Sequence, residues 1–374
     1  MSTMTQPARP LAEGAADPQI DMAADMATHV TPDATALDAD HRARRRLALA
    51  MLALIAMAAT AGLVTGTRGF SPTAFWADLH GDQAALIVGQ IRAPRTLGAA
   101  FVGALLGLGG ALAQGLFRNP LADPYLLGSA AGAGLAVVLV FAGVSIAGAS
   151  VSLAAMAWLE RVGLVAAAFC GALAGVAMTL LLAQGALQTM RLLLSGVVVA
   201  VLLGAVSDLV TVASPDALRG KQAFMLGSTS FLGWDAIGLL ALGLAALLPL
   251  ALHRARALDA LTLGEDSAAS LGINLPRVRL LLVALLSAST ALAVSHVGLV
   301  AFVGLVAPHL VRRHAPGAHG WLLAASAAMG AVLLLTADVI SRAVIAPQEL
   351  PVGVVTAVVG GSYLFVLLRR RGLR

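Results

Sequence analysis

The sequence predicts an all-α polytopic membrane protein of ten transmembrane helices. Three observations predict it. First, 59% of the 374 residues are hydrophobic and only 11% are charged, with a mean hydropathy of +0.90. A soluble domain carries about 25% charged residues, so this chain cannot cover a water-facing surface of the size its length demands. A soluble enzyme and a disordered chain are both excluded. Second, the apolar residues fall into runs of membrane-spanning length. Third, arginines recur in alternate gaps between those runs.

Residues 1–43 read as a disordered acidic tail. Seven acids (Glu13, Asp17, Asp21, Asp25, Asp33, Asp38, Asp40) face one base, Arg9, over the first forty residues, and no hydrophobic period is present. The basic cluster Arg42, Arg44, Arg45 and Arg46 precedes the first apolar run. A secretory signal would place that cluster near the N-terminus, so the run reads as a retained span. The runs are then 46–66, 96–116, 125–147, 162–183, 192–213, 235–252, 280–296, 298–311, 321–341 and 352–368. The eighth is short and bears Pro308.

Arg118, Arg191, the group Arg254, Arg256, Arg277 and Arg279, then Arg312 and Arg313, and finally Arg369, Arg370 and Arg371 occupy every second gap. If these are cytoplasmic, the spans alternate and both termini lie inside. Arg68, Arg92, Arg95, Arg161, Arg219, Lys221 and Arg342 fall on the outer side against that rule. Small residues recur at four-residue spacing: Gly103, Gly107, Ala111 and Gly115, Gly128 with Gly132, Gly171 with Gly175. Such stripes let helix backbones approach closely in lipid.

Energy must come from elsewhere. A phosphate-binding P-loop needs lysine in a Gly-Lys-Ser/Thr context. The chain's only lysine, Lys221, sits in Gly220-Lys221-Gln222. Ion coupling leaves ionisable residues at mid-membrane. Asp208 is the candidate for that alternative, an ion-coupled secondary transporter. Asp338 and Arg342, four apart near a span end, can neutralise each other. The eight histidines show no ligand spacing, so no metal site is expected. One cysteine, Cys170, precludes an intrachain disulfide.

Three connecting segments are too patterned for plain linkers. Gln90–Arg95 places two arginines just before a span. Arg118-Asn119-Pro120-Leu121-Ala122-Asp123-Pro124 has two prolines that fix a turn. The long loop 253–279 contains Leu263-Gly264-Glu265-Asp266-Ser267-Ala268-Ala269-Ser270-Leu271-Gly272. This reads as a short helix capped by Asp266 or Ser267 and stopped by Gly272, suited to docking in a partner's groove.

These segments, with Arg191–Gly196, Gly298–Arg312 and Ala337-Asp338…Arg342…Glu349-Leu-Pro-Val-Gly353, carry a resemblance from about residue 45 onward. The chain resembles the permease subunit of type II ABC importers, the family that takes up haem, ferric siderophores and cobalamin. It looks most like a haem permease, with siderophore and then cobalamin as alternatives. The resemblance implies a homodimer with a central translocation path. It also implies two ATPase subunits, a periplasmic binding protein and a bacterial inner-membrane location. ATP and Mg would be bound by the partner ATPase, leaving no cofactor in this chain, and nucleic acid is not a partner. Arg92, Arg95 and Arg342 would dock the binding protein as external basic points. Asn119, Leu121, Thr189 and Met190 would form the cytoplasmic gate, Met190 departing from the family's pattern towards a larger, softer side chain. Leu263, Gly264, Glu265, Ala268, Leu271 and Gly272 would couple to the ATPase.

Overall fold

A computed structural model describes residues 34–66, 68–81, 85–147, 162–185 and 188–371. Helix α1 (Ala34–Val64) leads into a two-residue hairpin, β1 (Thr65–Gly66) and β2 (Gly69–Phe70), in which Thr65 pairs with Phe70 and Gly66 with Gly69. Next come α2 (Pro72–His80) and a wide π-helical stretch, Ala85–Arg92, that runs directly into α3 (Ala93–Leu116). Helices α4 (Ser129–Ala147), α5 (Leu164–Leu182), α6 (Thr189–Ala213), α7 (Pro215–Leu226) and α8 (Trp234–His253) follow. Then come α9 (Ala255–Thr262), α10 (Glu265–Ser270), α11 (Leu275–Val297), α12 (Val303–His314), α13 (His319–Ala343) and α14 (Val352–Arg371).

Among the described residues, eight helices are long and apolar enough to cross a membrane, and a shorter apolar helix covers Val352–Leu367. The eighth apolar run behaves differently. Its helix, α12, has 12 residues, about 18 Å at 1.5 Å per residue, too short to span alone. Gly298 (φ 71) and Phe302 (φ 66) hold the preceding segment out of helix. Backbone bonds tie it down: Leu299 N–H donates to Phe224 O of α7, and at its start Val297 O accepts from Ser228 N–H, both at 2.8 Å. Non-helical backbone survives at membrane depth only when protein partners supply those bonds.

The tail boundary expected at residue 43 falls inside α1, which begins at Ala34; residues 1–33 lie outside the described residues. Asp40 pairs with Arg44 one turn on, an i,i+4 contact of the kind that supports a helix.

Helix α3 is the axis of the bundle. Nearly all of it is buried, because glycines and alanines on every side admit neighbouring backbones. It packs antiparallel on α13 with a steady register. Arg95 faces Asp338, Cβ positions built on Gly103 and Gly107 would meet Gly330 O and Ser326 O at 2.3 and 2.1 Å, and Gly115 faces His319. The small-residue stripe expected on α3 is therefore a packing seam. Gly132 against Gly171 and Gly175 against Gly128 make the corresponding seam between α4 and α5. Outward faces stay apolar: on α6, Leu194, Val201, Leu209 and Val212 are all exposed, as lipid-facing or partner-facing surface must be.

Candidate functional site

The antiparallel register of α3 and α13 places the candidate side chains at both ends of the bundle. At one end, Arg95 begins α3 and Asp338 and Arg342 end α13. Arg95 Nε donates to Asp338 Oδ1 at 3.0 Å, and its Nη1 donates to both Glu349 oxygens at 2.9 and 2.8 Å. Thr229 Oγ1 donates to the same Asp338 oxygen at 2.6 Å. Arg342 pairs with the other Asp338 oxygen and donates from Nη1 to Gly62 O and Thr65 O at 2.9 and 3.1 Å. Arg92, delivered by the π-helical stretch, pairs with Asp78 of α2 and donates to Leu63 O. A cavity of about 260 Å³ opens here, lined among others by Arg68, Arg92, Arg95, Arg342, Asp78 and Glu349.

These contacts show how the three arginines are held within the chain. Arg92, Arg95 and Arg342 are 8%, 8% and 3% exposed, and each is ion-paired within the chain. A buried guanidinium left unpaired is strongly unfavourable, so the fold brings Asp78, Asp338 and Glu349 to them. Asp338 and Arg342 do neutralise one another, as their spacing implies, but Asp338 also serves Arg95. Asp78, Thr229 and Glu349 as partners were not visible in the spacing, because they come from distant parts of the chain. The one readable signal is Glu349 itself, a charge set in an apolar C-terminal third.

At the opposite end, α3 closes on Phe117 and the chain turns through Arg118 at φ 48. Asn119 Oδ1 accepts from Leu121 N–H at 2.9 Å, and Asp123 Oδ1 from Tyr125 N–H at 2.8 Å. Burial pushes the Asp123 carboxyl up, partly offset by that N–H. Burial and then the charge of Asp123 raise the Tyr125 phenol, whose OH donates to Val300 O. Asn119 and Leu121 are exposed; of the other two gate candidates, Thr189 is half-buried and Met190 exposed at the start of α6. The loop is tied inward through Gln114, whose Nε2 donates to Leu305 O at 3.1 Å and whose Oε1 accepts from Arg312.

The loop 253–279 contains more helix than its sequence pattern implied. Helix α9 buries Ala255, Leu258, Ala260 and Leu261, and its Asp259 accepts from the backbone and ring of His319 at 2.9 and 2.7 Å. Helix α10 starts at Glu265 on Gly264, whose φ of 106 only glycine adopts freely. Neither Asp266 nor Ser267 caps it; both lie within the helix. Gly272 ends the segment at φ 79 as expected. Leu263 and Leu271 project outward, 68% and 65% exposed, while Ala268 is fully buried. Glu265 turns back to Arg118 (3.5 Å) and Arg279 (2.5 Å).

Asp208, the residue behind the ion-coupled alternative, is exposed on α6 and paired with Lys221 of α7. It is not an isolated intramembrane carboxylate.

A glycine-seamed bundle of long apolar helices, with charge confined to its two ends, defines a multi-span membrane permease. The chain belongs to the FecCD transport family, whose model matches residues 51–370, and it is a permease of the type II ABC importer kind. A hemin transport system permease of Yersinia pestis, HmuU, is 38% identical over 342 residues, 89% of this chain and 98% of its own. A cobalamin import permease of Halobacterium salinarum is 38% identical over 299 residues, 78% of this chain and 76% of that one. The Fe(3+) dicitrate permease FecD of Escherichia coli is 37% identical over 281 residues, 75% of this chain and 84% of its own. A solved ABC transporter assigned to the metal-chelate type, in an inward-facing conformation, superposes with a TM-score of 0.73 at 25% identity. It covers 87% of this chain and 99% of that one.

Proposed function

We propose that the chain is the permease subunit of an ATP-driven haem importer of a bacterial inner membrane. The observation that carries this is the near end-to-end match to the hemin permease, 98% of that protein's length. Siderophore and cobalamin permeases match at similar identity, and a vitamin B12 import permease of Pectobacterium atrosepticum does so over 332 residues and 95% of its own length, so substrate is the point to test. The complex, with its ATPase and binding protein, would be reconstituted in liposomes and offered haem, a ferric siderophore and cobalamin. ATP-dependent uptake of haem alone is the expected result. Uptake of either other ligand in place of haem overturns the substrate, and uptake driven by a proton gradient without ATP overturns the class.

In this reading two copies form a dimer, each with ten membrane-crossing segments. The eighth would be assembled from the extended stretch 298–302 plus α12, and both termini would be cytoplasmic. Asn119, Leu121, Thr189 and Met190 would line the gate where the copies meet. The binding protein would dock over the arginine network, one of its carboxylates entering the cavity toward Arg92, Arg95 and Arg342. Complementary charge there would set register and association rate.

Leu263, Gly264, Glu265, Ala268, Leu271 and Gly272 would form the segment that couples to the ATPase, with the exposed leucines as its contacts. The outward pair Leu263 and Leu271 supports this: two exposed leucines flanking a buried alanine make an apolar ridge fit for a groove. Leu271→Asp is expected to weaken ATPase association roughly 30-fold, the effect of a 2 kcal/mol hot spot. Co-purification under increasing dilution reads this out. Full retention of the ATPase would exclude the ridge as its docking site.

A further inference from the structure

We propose that Glu265 is a positioning residue that clamps the ATPase-facing helix to the gate loop, instead of being a contact for the ATPase itself. The inference rests on the reading of α10 as the coupling segment. One oxygen, Glu265 Oε1, lies 3.5 Å from Arg118 Nη2 and 2.5 Å from Arg279 Nη2. Those three residues belong to three elements: α10, the turn that ends α3, and α11. The leucines of the α10 segment face outward while its carboxylate faces inward, so the segment has one face for a partner and one for its own chain.

Arg118 is the start of the turn that carries Asn119 and Leu121. Its left-handed backbone leaves little freedom, and the Asn119 side chain fixes Leu121 through the backbone bond at 2.9 Å. The other side of the loop is held by Gln114, itself anchored to Leu305 O and Arg312. A shift of α10 therefore pulls on the loop against a fixed point. Along the covalent chain the same shift would have to pass back through the helices from α9 to α4. The pair with Arg118 is half-exposed on both sides, 42% and 41%, and such pairs add little stability. Its value is directional, which makes its removal a clean test.

The probe is a cysteine at Leu121 in a Cys170→Ser background, in the complex with the ATPase, labelled by a maleimide with and without ATP. ATP is expected to change the labelling rate in the otherwise unsubstituted chain. Glu265→Gln and, separately, Arg118→Gln are expected to reduce that ATP-dependent change about fivefold while the ATPase still co-purifies in full. The double variant is expected to be no worse than Glu265→Gln alone, because both remove one clamp. The exposed Arg118 makes its variant the safer fold. An undiminished ATP response in both variants, or loss of the ATPase from Glu265→Gln, overturns the clamp. Absence of the ATPase from the unsubstituted chain overturns the coupling assignment beneath it.

Discussion

Replacing Asp338 by alanine is expected to destabilise the folded chain by about 3–5 kcal/mol, the cost of leaving buried charges uncompensated. Asp338 is fully buried and accepts from Arg95, Arg342 and Thr229 at once. Arg95 would retain Glu349, which is partly exposed, but Arg342 would retain only backbone carbonyls. The thermal midpoint of the detergent-purified protein, followed by size-exclusion chromatography, should fall sharply, with most material aggregated. Adding Arg342→Met to Asp338→Ala should recover part of the loss, since a buried pair replaced by apolar side chains is often tolerated. A single variant as stable as the parent would show that these charges are solvated and not paired in a dry interior.

The second large effect is steric. A Cβ at Gly110 would sit 1.7 Å from Gly304 O, a backbone atom that cannot rotate away. Gly110→Ala must push α12 off α3, and the loss is expected to be about 3 kcal/mol, the upper range for overpacking. Gly204→Ala on α6 is the matched control: nothing lies within 4 Å of its Cβ, and alanine favours helix over glycine. Folded yield and thermal midpoint should drop for the first and hold or rise for the second. Equal behaviour of the two would refute the close α3–α12 approach.

The long spans were legible because lipid imposes length and polarity on every helix alike. The seams were legible for a related reason, since only small residues allow such proximity. The short helices α2, α7 and α9 were not, although two of them carry readable starts. Ser71-Pro72 and Ser214-Pro215 open α2 and α7 with a side-chain cap and a proline in the first turn. Hydropathy runs pass over such helices. The arginine end was half legible. The charges stood out against an apolar background, but their burial did not, because Asp78, Thr229 and Glu349 reach them only through tertiary folding. On the other face, the direction of Glu265 was hidden for the same reason, whereas the glycines around α10 announced the segment itself.

The pairing of Arg95 with Asp338 has a consequence for how the chain is made. The two are 243 positions apart, and Glu349 lies 254 from Arg95. Ribosomes add about 5–20 residues per second, so Arg95 waits roughly 10–50 s for its first acid. Throughout that interval the guanidinium at the end of the second apolar run lacks the acids that pair it in the finished fold, and snorkelling to the interface is the relief open to it. The final third of the chain thus completes the membrane insertion of the first. A ribosome stalled before codon 338 leaves a nascent chain whose exposed charge sets it apart from the finished protein.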